Sequence, residues 1–495
     1  MTSNLSTSMI QYKNQQQECL TVNLLANMLW KDRNVLCLYH SYSLVNEKID
    51  FLLNFHRDPI YPAKSYNLNA ILDILKDLIQ LPELPGVIDI GELKESFPKE
   101  QAITKESLIS KLWYLHLNNN KEAKDVILYG FGRIGRLLAR ELCTDPALKI
   151  KLNLRAVVTR DPIDIKYLKK RASLLQKDSI HGSFRGVIDI DEQSHSIIVN
   201  GKPIRFINAN DPQEIDYSML DIKDAILIDN TGQFRDLKSL SMHLRLGIES
   251  VILTAPGKDI PNIVFGINHN IATDTQSPIY STASCTTNAI SPVLNLIQQE
   301  FGIIKGHIET IHAYTNDQNL VDNMHAKNRR GRAAALNMVI TETGAGAAVS
   351  KIIPVLKDKL TSNAIRVPVS NGSLAILILE LNKKTTVSEV HSLIMRSAAT
   401  PSKHKQIDLS FDEDLVSSDI VGLSPSGIVD GCATHISHDG HTLTLYVWYD
   451  NEYGYSMQVL GFACWLSTSS IQRPLLGDNE VINKAYHKKR LLSKV

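Results

Sequence analysis

At 495 residues the chain is too long for one ordinary domain, so two to four units are expected, each burying its own core. Its 43% hydrophobic and 21% charged residues are ordinary for a globular protein, and no stretch approaches the roughly 20 apolar residues that span a bilayer, which excludes an integral membrane protein. Lysine and arginine number 53 against 52 aspartates and glutamates, so no global field favours nucleic acid or anionic lipid, and the expected partners are small or local. The six cysteines, Cys19, Cys37, Cys143, Cys285, Cys432 and Cys464, contain no Cys-x-x-Cys pair. That pattern argues against a disulfide framework and a zinc knuckle; no metal site is expected, and a reducing cytoplasm is the expected setting.

In chain order, residues 1–122 read as a mostly helical module. Met1 to Gln17 is polar and lacks the basic-then-apolar order of a secretory signal. Asn67 to Leu81 sets Ile71, Leu72, Leu75, Leu78 and Ile79 at helical spacing, closed by Pro82 and Pro85-Gly86. Lys105 to Leu117 predicts a second helix with Leu108, Ile109, Leu112 and Trp113 on one face, ended by the polar run Asn118 to Asn120. From Lys124 the pattern becomes strand, glycine turn, helix, strand: Val126–Tyr129, then a helix over Arg136–Leu142, then a strand over Leu152–Thr159. That alternation produces a parallel sheet with helices on its faces, and the later strands Ala225–Ile228 and Val251–Leu253 end in polar turns where a crevice would lie. Beyond Cys285 the strands lengthen and alternate, as in Ala375–Leu381 and Thr442–Trp448, predicting a second, antiparallel-rich α+β domain. The tail, with Lys484, Lys488, Lys489 and Arg490, reads as solvated.

Gly130-Phe131-Gly132-Arg133-Ile134-Gly135 sits between a strand and a helix, where glycines let the backbone approach a pyrophosphate and the helix N-terminus meets its charge. Such a loop alone is a weak signal, but its context predicts a dinucleotide-binding, Rossmann-type domain. The residue ending the second strand reads the ribose. Arg160 there would suit a 2′-phosphate and NADP, whereas Asp161 would accept from a 2′-hydroxyl and favour NAD; both readings stay open. Cys285 lies in the hydroxyl-rich run Ser281 to Asn288, just ahead of the helical stretch Ala289 to Phe301, and a helix N-terminus favours a thiolate. His312 ends a strand before the polar loop Ala313 to Asp317, where an imidazole could pair with that thiolate and serve as acid and base. Most histidines are structural; the combination with Cys285 singles this one out.

These segments, together with KDSIHGSF, NTGQFRD, LTAPGKD, STASCTTNAISP, TIHAYTNDQ, RRGRAAALNMV, AIRVPVS and WYDNEYGYS in that order, resemble the glyceraldehyde-3-phosphate dehydrogenase family over about residues 124 to 470. The resemblance implies a Rossmann-type domain over 123–283, completed by 450–470, a catalytic α+β domain over 284–449 and a tail over 471–495. It implies Cys285 as nucleophile and His312 as its base. Thr315, Asp317 and Arg366 would surround the substrate phosphate, and Ser284, Thr286, Thr343, Gly344 and Arg330 the attacking inorganic phosphate. Gly130, Gly132, Arg133, Ile134, Gly135, Arg160, Thr231, Gly232, Thr254, Asn451 and Tyr455 would contact NAD or NADP. The implied activity is reversible phosphorylating oxidation of D-glyceraldehyde 3-phosphate, in glycolysis or gluconeogenesis, by a homotetramer. Erythrose 4-phosphate oxidation with water in place of phosphate is the alternative, and a regulatory protein that keeps the fold without turnover is a third reading. Tyr129 in place of the family's Asn, Thr159-Arg160 in place of its Asn-Asp, Tyr453 in place of its Trp and the run Val369 to Ser373 depart from the family pattern, the first two at the adenosine end.

Overall fold

The computed structural model describes residues 2–39, 42–50, 52–53, 68–82, 84, 86–95, 107–108, 122–274, 277–398 and 406–468. They cluster into two compact units, one built on residues 1–122 with 145–150, the other on 123–144, 151–400 and the segment from 404 onward. In the first unit, helix α1 (Thr2–Arg33) buries Cys19, Val22, Ala26 and Leu29, spaced three or four apart. Strand β1 (Leu36–Tyr39) pairs antiparallel with β2 (Tyr42–Ser43). Helix α2 (Leu68–Gln80) buries Ile71, Leu72, Leu75 and Leu78, as its periodicity predicts, and packs on α1. Strand β3 (Val87–Asp89) then returns parallel to β1. The Arg33 guanidinium donates to the carbonyls of Leu78, Ile79 and Pro82, covering acceptors that the end of α2 leaves without intrahelical partners. The module is mostly helical as expected, but its small sheet goes beyond that expectation, because strands this short carry almost no alternation. Helix α1 escapes the sequence pattern for another reason: it is apolar on two faces, with Leu20, Leu24 and Met28 exposed, which erases a one-sided stripe. The predicted helix Lys105–Leu117, apart from a helical Ser107–Leu108, and the tail 471–495 lie outside the described residues.

The second unit opens with β4 (Lys124–Tyr129), α3 (Arg133–Thr144) and β5 (Leu152–Thr159). Helix α4 (Ile165–Gln176) and strands β6 (Ile188–Asp191), β7 (Ser196–Val199), β8 (Lys202–Asn208), β9 (Ala225–Asp229), β10 (Ile248–Leu253) and β11 (Ile279–Ser281) come next. The sheet order is β11-β10-β9-β4-β5-β8-β7-β6, parallel from β11 to β8 with an antiparallel edge. The order reverses at β4, so the crevice at a topological switch point falls at the end of β4, where the glycine loop begins. Strands buried on both faces need continuous apolar runs, and Val126 to Leu128 and Ala225 to Ile228 supply them.

Helix α5 (Cys285–Glu300) leads into β12 (Ile303–Ala313), β13 (Val339–Thr341), α6 (Ala345–Ile352), β14 (Leu360–Val367) and β15 (Ser373–Leu381). Strands β16 (Ile407–Ser410), β17 (Gly427–Asp430), β18 (His435–Ile436) and β19 (Thr442–Tyr449) complete the sheet before helix α7 (Tyr453–Thr468). Its order is β13-β14-β12-β15-β19-β17-β16, antiparallel except for β12 with β14 and β16 with β17. Helix α5 lays Ala289, Val293, Leu294 and Ile297 on the sheet residues Ala375, Leu377, Leu445 and Val447, so the start of α5 is fixed by the main core of this half.

Candidate active site

Three glycines of the loop have separate geometric duties. Gly130 turns with φ +97°, a conformation L side chains rarely adopt, and a Cβ on Gly135 would stand 2.6 Å from the Gly130 carbonyl oxygen. A Cβ on Gly132 would meet nothing within 4 Å, so the backbone just ahead of the α3 N-terminus is open to approach. Replacing Gly135 with alanine is expected to force the turn off its strand and cost about 1–3 kcal/mol. Urea unfolding reads this directly; an unchanged midpoint would show that the loop yields freely. Ile134 presents its backbone in the first turn of α3. The Arg133 guanidinium binds Glu452 with Nε–Oε1 2.5 Å and Nη2–Oε2 2.6 Å, and Asp178 at 3.1 Å. These two carboxylates hold its side chain, and with His181, Asp450 and Asn371 they tie the loop to the segment after β19.

Asp229, fully buried at the end of β9, is a site residue that sequence reasoning does not single out, although a carboxylate closing an apolar strand is a visible signal. It accepts from Thr231 N–H and O–H, each at 2.7 Å, and lies 2.9 Å from His243 Nε2; its carbonyl accepts from Thr254 Oγ1 at 3.0 Å. The strand-end residues Thr231 and Thr254 are thus set by one buried aspartate, and Gly232 turns beside them with φ +64°. At the ribose end Arg160 is exposed, and Asp161 is held by Arg171 at 3.0 Å.

Cys285 occupies the first turn of α5. Ser284 caps that helix, its Oγ accepting from Thr287 N–H at 3.1 Å, and Thr286 Oγ1 meets the buried Tyr449 hydroxyl at 2.9 Å. The preceding Ala283 is left-handed, φ +54°, and the Tyr455 hydroxyl bridges Thr282 Oγ1 at 2.9 Å and the Ala283 carbonyl at 3.1 Å. Tyr455, expected beside the nicotinamide, therefore braces the cysteine turn. Asn451 accepts from Ser373 Oγ at 2.8 Å, which leaves its amide nitrogen as the donor end.

The Cys285 Sγ lies 3.6 Å from His312 Nε2. The parallel register of β12 and β14 sets His312 opposite Arg366. Arg366 Nη1 donates to the Ala313 carbonyl at 2.9 Å and stands 2.5 Å from His312 Nδ1, which itself lies 2.7 Å from that carbonyl. Nδ1 thus stands between a guanidinium that can only donate and a carbonyl that can only accept, and Nε2 is the ring nitrogen that faces the sulfur. Burial and the Arg366 charge push the imidazole down to about 3, and burial pushes the thiol up against the pull of Arg366 and the Thr286 N–H. Burial first and the cationic neighbour second oppose a charged imidazole, while the same neighbour favours a thiolate, and Nε2 is the ring atom placed to exchange a proton with the sulfur during attack.

Asp317 pairs with Arg330, which also donates to Thr341 Oγ1 at 2.8 Å, and Thr315 donates to Asp317 at 2.6 Å. Arg330 is thereby spent inside the loop and shapes the site through Asp317. Thr343 and Gly344 start α6, Thr343 Oγ1 accepting from Ala345 N–H at 3.2 Å, and α6 packs on α5, so two helix N-termini serve this half of the molecule. Among the described residues no helix is long and apolar enough to cross a membrane, and no cluster of histidine, cysteine and acidic side chains could hold a metal ion.

Residues 124–237 match the family model of the glyceraldehyde 3-phosphate dehydrogenase NAD binding domain, and residues 284–451 that of the C-terminal domain. A glyceraldehyde-3-phosphate dehydrogenase-like protein of Pseudomonas aeruginosa is 45% identical over 448 residues, 88% of this chain and 96% of that protein. Glyceraldehyde-3-phosphate dehydrogenase 1 of Bacillus cereus is 36% identical over 69% of this chain and 98% of its own, and glyceraldehyde-3-phosphate dehydrogenase 2 of Bacillus subtilis 38% over 68% and 94%. A match over 88% of the chain must reach ahead of residue 124, so the Pseudomonas protein shares part of the N-terminal unit.

Proposed function

The chain belongs to the glyceraldehyde-3-phosphate dehydrogenase family, whose cofactor is a nicotinamide dinucleotide, and from that premise we propose that it oxidises D-glyceraldehyde 3-phosphate, with inorganic phosphate, to 1,3-bisphosphoglycerate. The observation that carries the proposal is the sulfur at the start of α5 facing His312 Nε2 3.6 Å away. Sγ bonds to the aldehyde carbon while the thiol proton passes to His312 Nε2, which returns it to the developing alkoxide. His312 then withdraws that hydroxyl proton as the carbon is oxidised to a thioester. A bound nicotinamide supplies the hydride acceptor at this level of oxidation. Phosphate oxygen attacks the thioester carbon, the C–S bond breaks, and the thiolate leaves as the acyl phosphate forms.

The N–H groups of the first turn of α3, Gly132, Thr231, Gly232, Thr254 and Asn451 would hold the dinucleotide, and the open face of Gly132 fits its pyrophosphate. Arg366 with Thr315 and Asp317 would orient the substrate phosphate, and Ser284, Thr286, Thr343 and Gly344 the attacking one. Leu320, Val321, Met324, Leu336 and Met338 stand exposed between β12 and β13, which supports assembly with further copies of the chain, a homotetramer in this reading. The test is reduced-dinucleotide formation from glyceraldehyde 3-phosphate with and without inorganic phosphate. Phosphate-dependent turnover is expected. Turnover indifferent to phosphate would replace the proposal with a hydrolytic aldehyde oxidation such as that of erythrose 4-phosphate.

A further inference from the structure

We propose that Arg160 makes this chain selective for NADP by pairing with the 2′-phosphate of the adenosine ribose, an inference that rests on the dinucleotide-dependent activity above. Strand β5 ends at Thr159, opposite Asn208 of β8, so the parallel register makes Arg160, not Asp161, the residue directly after the strand. The Asn208 amide donates to the carbonyls of Arg160 and Asp161, both at 2.9 Å, and so fixes the loop. Each carboxylate of this loop is engaged. Asp161 is paired with Arg171, whose guanidinium lies 4.8 Å over the Tyr167 ring, and Asp164 caps α4 by accepting from Tyr167 N–H at 2.6 Å.

Arg160 has no ion pair among the described residues, yet its charge reaches the Tyr129 hydroxyl at the end of β4, opposing the burial that raises that group. With Asp161 paired to Arg171 and Asp164 turned to its helix cap, Arg160 is the charge of this loop that neither an ion pair nor a cap engages among the described residues. Asp211 and Glu214 act on the same hydroxyl with the opposite sign, but both serve their own turn, accepting from Gln213 N–H at 2.8 Å and Asn210 N–H at 3.3 Å. A ribose diol needs a receptive carboxylate at the strand end, whereas a phosphate needs an uncommitted guanidinium. This loop offers the second.

The test titrates the folded protein calorimetrically with 2′,5′-ADP and with 5′-AMP, which report the adenosine end without turnover, and then with NADP and NAD. The 2′-phosphorylated member of each pair is expected to bind about tenfold or more tightly. Arg160→Gln, a surface change, is expected to weaken 2′,5′-ADP by about tenfold to a hundredfold and leave 5′-AMP unchanged. Arg171→Gln, which frees Asp161, is expected to narrow the gap from the other side by improving 5′-AMP. Equal binding of the two fragments by the unaltered protein, or an Arg160→Gln variant that loses nothing, overturns the inference even if glyceraldehyde 3-phosphate is turned over. Tight 2′,5′-ADP binding without turnover upholds it and removes the proposed activity instead.

Discussion

Replacing Cys285 with serine is expected to lower kcat/KM on the order of 10⁴-fold or more while leaving dinucleotide affinity and the circular dichroism spectrum as they were. The exchange is small in volume and leaves the Ser284 cap in place, and Cys285 only borders the core on which α5 packs, so folding is not at stake. The chemistry is. Burial already raises the thiol above its ordinary value, and an alkoxide is far harder to form in the same place than a thiolate. A thioester is also the better acyl donor to phosphate. Steady-state assays with and without phosphate, joined to intact-mass detection of the acylated chain, check the result; an unmodified serine variant working within tenfold of the parent would mean another nucleophile.

His312→Gln is expected to cost about 10²- to 10⁴-fold in rate, the range of a lost general base. It also carries a signature that a merely structural histidine would not leave. The imidazole is held near 3 in the fold against an ordinary value of 6.5, so the unfolded chain binds its proton first as the solution is acidified. The stability due to neutral His312 is complete above 6.5 and is lost as pH falls from 6.5 toward 3, by up to about 1.4 kcal/mol per pH unit. Urea unfolding of both proteins at pH 7.5 and 5.0, values chosen to straddle that ordinary pKa, should show the parent losing more than the variant. Equal losses would mean that burial and Arg366 do not depress the imidazole.

Much of the fold was legible because period and punctuation agree. The Gly130 loop comes after β4 where the apolar run stops, and the helical stretch expected after Cys285 is α5, with Ser284 as its cap. The pair Cys285 and His312 was legible as chemistry, and the structure brings the two side chains together. What the sequence could not carry was partnership across distance. Arg133 sits just after two glycines of a phosphate-type loop, yet Glu452, 319 positions away, claims its guanidinium. Tyr449 and Asp229 fall one residue beyond the strands expected at Thr442–Trp448 and Ala225–Ile228, and only tertiary contact reveals that one holds Thr286 and the other sets Thr231 and Thr254. The neighbour of the pair escaped for the same reason, because Arg366 reaches His312 through strand register rather than through proximity in the chain.

The brace that Tyr455 places on the left-handed Ala283 also says when in the life of a chain this cysteine becomes competent. Synthesis delivers Cys285, His312 and Arg366 long before Tyr455, and Asp450 and Glu452, which anchor the glycine loop's neighbours, arrive with it. A nascent polypeptide can therefore carry both members of the acid–base pair and still present a loose, unaligned thiol. The order of synthesis thus leaves the turn that carries Cys285 without its Tyr455 brace until α7 has been made and docked.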